Sequence, residues 1–173
     1  MSLAKHIQSS FEEIQPKLDE ASHYADGGLC VLAASLGLAA LRERGESVRI
    51  AGGRAAFSVN KTRFGMLDFG YSDNSMVGRY IGHFWLVHQY GIIDFSLPYL
   101  KETFEKDNAR RGIAGGPIKL PSQMLIPTGK LQTYAALYKG KIGWHYQEIP
   151  GRGEVIDEDL LSIPEIPPVS PPQ

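Results

Sequence analysis

Residues 29–41, LCVLAASLGLAAL, form an almost wholly apolar run around which the rest of the chain is organised. The leucines recur at helical spacing and small residues stand between them, so the run predicts a thin helix over roughly 28–44. Asp26 is suited to cap its start, and Gly45 to end it. Because such a helix has no polar face, other elements must surround it. We therefore expect it at the centre of the domain.

The spacing of the apolar residues changes after this helix. The chain breaks into short segments rich in β-branched and aromatic residues and separated by Gly, Asn and Asp, as is typical of antiparallel strands. Gly52-Gly53 fits a turn between the first two strands, and 131–138 fits either a helix or a strand. The predicted strands are 47–51, 54–59, 63–69, 79–88, 91–96, 122–126 and 141–149. These patterns predict an α+β fold, with the central apolar helix packed against an antiparallel β-sheet.

Two further helices are predicted, one at the N-terminus and one on the surface. Residues 3–23 carry apolar side chains every three to four positions, which indicates an amphipathic helix. We expect Pro16 to kink or divide it. The charged stretch 99–110 fits a surface helix.

Length and composition indicate one globular domain. The chain has 173 residues, of which 43 % are hydrophobic and 21 % are charged. We expect residues 1–162 to form a single domain and the Pro-rich tail, 163–173, to be polyproline-like or disordered, with a partner-docking role left open. A formal net charge of −1 argues against nucleic acid or an anionic membrane as the main partner. Composition does not indicate an oligomeric state.

The cysteine count bears on the compartment. A single cysteine excludes an internal disulfide, as is usual in a reducing cytoplasm. The apolar run 29–41 is shorter than the roughly 20 residues of a membrane span. The N-terminal segment is amphipathic and of mixed charge, unlike a secretory signal. We therefore expect a cytoplasmic protein.

That cysteine, Cys30, lies in the first turn of the predicted central helix. Unpaired backbone N–H groups and the positive end of the helix dipole favour a thiolate there. The preceding Gly27-Gly28 leaves room for another backbone or a substrate to approach. The alternative is a small buried hydrophobic residue with no chemical role.

His83 and Asp94 flank a predicted hairpin. A cysteine at a helix start, a histidine on a strand and an aspartate on the next strand are the parts of a Cys-His-Asp triad. A two-residue turn at Tyr90-Gly91 places Asp94 opposite Val87, on the face of His83 but offset along the strand. A bulge, a shifted turn or strong twist is then needed to bring the imidazole and the carboxylate into contact.

Cys30 at the head of a small-residue helix, followed by His83-x-Trp85 and Asp94-Phe95-Ser96, resembles the core of the transglutaminase-like and papain-like cysteine proteinase superfamily. The likeness covers roughly residues 25–100. More narrowly, the chain is similar to small bacterial proteins of unassigned function placed in that superfamily. Arylamine N-acetyltransferases share the triad and its order but are much longer.

The resemblance implies roles for individual residues. Cys30 would be the nucleophile, His83 the general base and acid, and Asp94 the residue that orients His83. The chain departs from papain-type enzymes in two places, with Tyr24 where they have an oxyanion-donating Gln and Val31 where an aromatic residue often follows the cysteine. The Cys30 backbone N–H is therefore the first candidate for the oxyanion donor, with Tyr24 as a helper.

Three hypotheses for function follow. The first is a thiol hydrolase or acyltransferase that acts on an amide or ester of a small molecule or peptide through a thioester, without metal or cofactor. In it Trp85 would shield the imidazole, and Trp144 and His145 are candidate pocket residues. The second is a non-catalytic module on the same fold that binds its ligand with Trp85, Tyr24 and Trp144. The third is a metal site formed by Cys30, His83 and His145, although no closely spaced ligand pair supports it.

Overall fold

The computed structural model describes residues 1–24, 29–58, 66–70, 82–102, 105, 109, 112, 123–139, 143–154 and 156. Three predictions concern residues outside these ranges. They are the cap at Asp26, the opening at Gly27-Gly28 and the Pro-rich tail that follows residue 162.

Helices form at both positions predicted in the first 45 residues, 3–23 and 28–44. Helix α1 spans Leu3–Tyr24 and helix α2 spans Leu29–Glu43. Gly45 adopts a φ of 81° just beyond α2, and its N–H bonds to the Arg42 carbonyl. Glycine tolerates this left-handed conformation, so the predicted end of the central helix is confirmed.

Pro16 does not divide α1, which continues through it from Leu3 to Tyr24. Proline removes one hydrogen bond from a helix and leaves a carbonyl four residues earlier without its partner. Pro16 and the Glu12 that carries this carbonyl are both exposed, so water can satisfy the oxygen. Of the two outcomes predicted for Pro16, division of the helix is therefore wrong, and a kink stays a prediction.

The described residues after α2 form strands, 3-10 turns and a short helix. The six described strands are β1 (Arg49–Ser58), β2 (Met66–Phe69), β3 (His83–His88), β4 (Gly91–Ile93), β5 (Leu125–Pro127) and β6 (Gly143–Glu148). Single 3-10 turns cover Leu97–Tyr99 and Thr128–Lys130. The ambiguous stretch 131–138 is a bridge residue, Leu131, followed by a short helix α3 over Tyr134–Tyr138. The exposed residues 101, 102, 105 and 109 are helical, as predicted for the surface segment.

All strand pairs in the sheet are antiparallel. Hydrogen bonds link the strands in the sequence β2-β1-β3-β4-β5, and β6 also pairs with β1. The first half of β1 pairs with β3, and its second half pairs with β2 on the same edge and with β6 on the other. The sheet and the helices beside it confirm the predicted α+β class.

The predicted turn at Gly52-Gly53 is wrong, because β1 runs straight through it. The two glycines are needed for close packing instead. An added Cβ on Gly52 would lie 2.5 Å from the Phe84 ring, and one on Gly53 would lie 2.1 Å from the backbone oxygen of Gln147. A glycine inside a strand often marks such a close approach of neighbouring groups.

The sheet separates two apolar layers. On one face α1 and α2 pack against Ile50, Phe84, Leu86 and Ile93. The other face carries Phe57, Trp85, Ile92 and Ile126 among its buried residues. Helix α2 thus has α1 on one side and the sheet on the other, as its all-round apolar sequence requires.

No helix within the described ranges has both the length and the apolar character needed to cross a membrane.

Candidate functional site

The hairpin between β3 and β4 has a different register from the simplest expectation. His88 pairs with Gly91 and Val87 pairs with Ile92, so the turn residues are Gln89 and Tyr90. Continuing this register places Asp94 opposite Trp85 rather than opposite Val87. The shifted turn moves the carboxylate two residues closer to His83, and no bulge is required.

The side chains of His83 and Asp94 are in direct contact. His83 Nε2 lies 2.6 Å from Asp94 Oδ2, and each side chain is only 1 % exposed. Since a carboxylate can only accept, Nε2–H is the donor. The other ring nitrogen, Nδ1, is buried and has no hydrogen-bond partner in the described part of the chain.

Asp94 is held by three other donors. Its Oδ1 accepts from the backbone N–H of Ser96 at 2.9 Å and from the Ser96 hydroxyl at 2.6 Å. Its Oδ2, already bonded to His83, also accepts from the Tyr146 hydroxyl at 2.8 Å. The Asp94 backbone N–H bonds to the Met124 carbonyl at 2.8 Å, which anchors the residue just beyond the end of β4. Both carboxylate oxygens are thereby satisfied and their orientation is set.

The buried pair is charged. Burial by itself lowers the pKa of His83, but the charge and hydrogen bond of Asp94, together with Cys30, raise that pKa above its ordinary value. Burial raises the pKa of Asp94, whereas His83, Ser96 and Tyr146 hold it below its ordinary value. The pKa of Tyr146 is raised by burial and by the Asp94 charge, so its hydroxyl keeps its proton and donates. An imidazolium facing a carboxylate is therefore the favoured state.

Four aromatic side chains enclose the imidazole. Phe69 stacks on His83 with ring centroids 5.1 Å apart, Phe57 meets it edge-on at 5.5 Å, and Trp85 lies at 6.2 Å with its ring plane inclined by 23°. Tyr146 completes the enclosure at 6.1 Å. These rings come from strands β1, β2, β3 and β6, and they exclude water from the imidazole. In a dry site the attraction between His83 and Asp94 is stronger than in water.

Cys30 lies in the first turn of α2 and is partly exposed. Its side chain lies close enough to His83 to contribute to the raised pKa of the imidazole. No hydrogen bond of regular geometry joins the two side chains, since Nδ1 has no partner in the described part of the chain and Nε2 bonds to Asp94.

The direction of α2 explains how a helix residue meets a strand residue. Cys30 lies near enough to His83 to raise its pKa, and seven residues later an added Cβ on Gly37 would lie 3.2 Å from Leu86, three residues beyond His83. Seven helical residues and three strand residues both span about 10 Å. The helix and β3 therefore run side by side, with the thiol and the imidazole at the ends where both elements begin.

The pH dependence of stability should reflect the buried pair. Because the pKa of His83 is raised, the stability that His83 contributes to the fold is complete below pH 6.5, its ordinary pKa. It is lost as the pH rises through the raised pKa. Because the pKa of Asp94 is lowered, its contribution is complete above 3.8 and is lost as pH falls through the lowered value. We expect the difference in free energy of unfolding between the native chain and Asp94→Asn to be largest between these two pH values. Urea titrations across this range measure it, and a difference that does not change with pH would contradict the charged pair.

Of the other predicted site residues, some lie on the same face of the sheet as the imidazole and some do not. Trp85 is 2 % exposed and packs in the aromatic enclosure, so its ring is a wall of the imidazole site. Trp144 lies on the same face of the sheet, opposite Phe57, and its indole Nε1 is buried without a hydrogen-bond partner within the described residues. His145 alternates to the opposite face, where its Nδ1 lies 2.9 Å from the Gln132 carbonyl oxygen. Tyr24 is the last residue of α1, and its side chain is outside the described part of the structure.

Sequence reasoning missed three side chains of this site, namely Phe57, Phe69 and Tyr146, and named Ser96 only within the Asp94-Phe95-Ser96 motif, without a role. Ser96 carried a local signal, because an aspartate side chain commonly accepts from the backbone N–H two residues later in an Asx turn. The other three come from strands distant in sequence, and only the pairing of Ala55 with both Phe69 and Tyr146 brings them together.

The described residues contain no group of three or more His, Cys, Asp or Glu side chains arranged to hold a metal ion.

Comparisons with known proteins support the fold. No protein-family profile and no curated protein matches this chain. A solved structure described as a genomics target, APC5867, is similar over 91 % of this chain and 71 % of its own, with a TM-score of 0.55 and 17 % identity. At this identity the likeness concerns the fold alone.

Proposed function

We propose that this protein is a thiol-dependent hydrolase or acyltransferase that acts on an amide or ester carbonyl through a thioester on Cys30. The observation that carries the proposal is the arrangement of His83. Asp94 holds its Nε2, while its unpartnered Nδ1 remains available to the partly exposed thiol of Cys30. A thiol next to a base that a carboxylate orients is the arrangement that nucleophilic catalysis needs.

The resting state in this proposal is a thiolate beside an imidazolium. Asp94 stabilises the positive charge of His83, so the proton of the thiol passes to Nδ1 before substrate binds. The first-turn position of Cys30 adds the positive end of the α2 dipole. The nucleophile is then already activated, and His83 acts first as an acid.

Acylation follows in two bond changes. The Cys30 sulfur attacks the carbonyl carbon, and the electron pair of the C=O bond moves to the oxygen. When the tetrahedral intermediate collapses, the bond to the amine or alcohol breaks and the leaving group takes the proton from His83 Nδ1. The products are a thioester on Cys30 and a neutral imidazole.

Deacylation reverses these roles. The neutral His83 accepts a proton from water or from an acceptor amine at Nδ1, and the resulting nucleophile attacks the thioester carbonyl. Collapse returns the thiolate of Cys30 and the imidazolium of His83. Water gives hydrolysis and an amine gives acyl transfer.

The negative oxygen of each intermediate needs hydrogen-bond donors. The backbone N–H of Cys30 lies in the first turn of α2, where no carbonyl four residues earlier belongs to the helix. We assign it as the first oxyanion donor. The Tyr24 side chain remains a candidate helper.

The proposed chemistry needs neither a metal ion nor an organic cofactor, and its substrate is a small molecule or a peptide. A free thiolate is preserved in a reducing compartment, so we place the protein in the cytoplasm.

The first test is the alkylation rate of Cys30 by iodoacetamide near neutral pH. We expect Cys30 to react much faster than a free thiol, and His83→Ala to slow the reaction by about 10- to 100-fold because the proton acceptor is lost. Mass spectrometry of the intact chain measures the adduct. Since Cys30 is the only cysteine, the signal comes from one site.

His88→Ala is the matched control, because His88 is a buried histidine of the same strand that faces the other side of the sheet and contacts Glu46 at 3.2 Å. Its replacement should leave the alkylation rate unchanged. A second experiment treats the chain with p-nitrophenyl acetate and looks for an acetyl thioester that is absent in Cys30→Ser. A slow reaction that is indifferent to His83, with no acyl adduct, would overturn the proposal in favour of a non-catalytic binding module.

A further inference from the structure

Tyr146 shares the carboxylate oxygen that holds the imidazole. Its hydroxyl donates to Asp94 Oδ2 at 2.8 Å, and His83 Nε2 donates to the same oxygen at 2.6 Å. The two donors come from different strands, since Tyr146 lies on β6 and His83 opens β3. Asp94 Oδ2 therefore accepts one hydrogen bond from a neutral donor, Tyr146, and one from a charged donor, His83.

The Tyr146 ring is fixed in place by neighbours of the same site. It packs against Trp85 with centroids 5.0 Å apart and an interplanar angle of 66°, and against Phe57 at 5.5 Å and 79°. Two edge-to-face contacts leave the hydroxyl little freedom to leave Asp94.

A neutral donor on a carboxylate oxygen reduces the attraction that this oxygen exerts on a neighbouring cation. Every hydrogen bond accepted by Oδ2 withdraws part of its negative charge, and in a dry site the effect is larger than in water. The imidazolium of His83 is thus held less tightly than by a carboxylate whose Oδ2 bonds to it alone. In the proposed reaction His83 must transfer its proton to the leaving group. A carboxylate that stabilised the imidazolium too strongly would slow that transfer.

We propose that Tyr146 is a positioning residue that acts through Asp94, and that its hydrogen bond keeps the proton of His83 transferable. The inference rests on the proposed function. In it Asp94 makes the imidazolium possible inside an apolar enclosure, and Tyr146 limits how strongly the proton is bound.

The groups that face this proton are few within the described residues. Cys30 from α2 and Asp94 beyond β4 act on His83, while Ser96 and Tyr146 act on Asp94. Strands β1 and β2 contribute the uncharged rings of Phe57 and Phe69. A change at Tyr146 should therefore reach the imidazole through Asp94.

The test is the pH titration of His83 followed by NMR in the full chain with ¹⁵N-labelled histidine. The Cys30→Ser background removes the thiol, and the spectrum of His83→Gln identifies the resonance. We expect Tyr146→Phe to raise the titration midpoint of His83 by on the order of one pH unit, because the carboxylate then binds the imidazolium more strongly. Asp94→Asn should move the midpoint in the opposite direction. A tyrosine with a merely structural role predicts lower stability with no upward shift.

Tyr134→Phe is the matched control, because Tyr134 also donates to an aspartate, Asp68, at 3.3 Å, and its ring contacts His145, which lies on the other face of the sheet from His83. It should leave the midpoint in place. Should Tyr146→Phe fail to fold, Ser96→Ala removes a donor from the other carboxylate oxygen and should raise the midpoint by a smaller amount. An unchanged or lowered midpoint in the folded variant overturns the role of Tyr146.

The two proposals fail in different ways. If alkylation of Cys30 is indifferent to His83→Ala, the proposed function is wrong whatever the titration shows. If alkylation requires His83 but the midpoint does not rise in Tyr146→Phe, only the role of Tyr146 is wrong.

Discussion

Replacing Asp94 with alanine should lower the free energy of unfolding by about 3–5 kcal/mol at neutral pH, the usual cost of removing one partner from a buried ion pair. The variant leaves the imidazole of His83 in its aromatic enclosure without a counter-charge. It also leaves the hydroxyl groups of Ser96 and Tyr146 without the oxygens that accept from them. Urea denaturation monitored by tryptophan fluorescence measures the loss.

Two variants bracket this result. Asp94→Asn keeps the shape of the side chain and an accepting oxygen, so it should cost less than the alanine. Glu148→Ala removes an ion pair with Arg49 whose side chains are 40 % and 53 % exposed, and it should cost less than about 1 kcal/mol. An Asp94→Ala variant no less stable than Glu148→Ala would mean that the buried pair is not charged in the native state.

Gly82→Ala should be the second large effect, lowering the free energy of unfolding by on the order of 3 kcal/mol. Gly82 has a φ of 96°, which side chains rarely adopt, and an added Cβ would lie 2.2 Å from the backbone oxygen of Gly53. Gly53 pairs with His83, the residue that follows Gly82, so relief of the clash must move the imidazole. We therefore also expect slower alkylation of Cys30.

Gly151→Ala separates the two causes. Gly151 has a similar φ of 84°, but nothing lies within 4 Å of an added Cβ. It should lose about 1 kcal/mol, from backbone strain alone, and keep the alkylation rate. Equal losses in both variants would show that close packing against Gly53 does not constrain the start of β3.

In the hairpin between β3 and β4, the sequence pattern predicted which face each side chain occupies but not the position of the turn. Alternation of side chains correctly placed His83 and Asp94 on one face, because a period of two holds along any strand. The turn was one residue earlier than expected, which moved Asp94 from Val87 to Trp85. Turn position depends on how both strands pair with their other neighbours, here β1 and β5, and these partners are distant in sequence.

Gly52-Gly53 illustrates the same limit for glycine. A glycine pair between two apolar segments is a turn signal on local grounds. In the folded chain Phe84 and the backbone of Gln147 approach these residues, so that glycine is required by neighbours across the sheet. Local sequence carries no information on such neighbours.

The sequence by itself determined the class of fold and the identity of the three triad candidates. A helix that is apolar on every face must lie between other layers, and short alternating segments must pair as strands, because burial of apolar surface drives both. The tertiary structure decided how the candidate residues are arranged. It brought His83 and Asp94 into contact, left Nδ1 without a hydrogen-bond partner in the described part of the chain, and added Tyr146 from a strand near the other end of the chain. Contacts between distant segments depend on register and packing, and these are properties of the folded sheet rather than of any local stretch of residues.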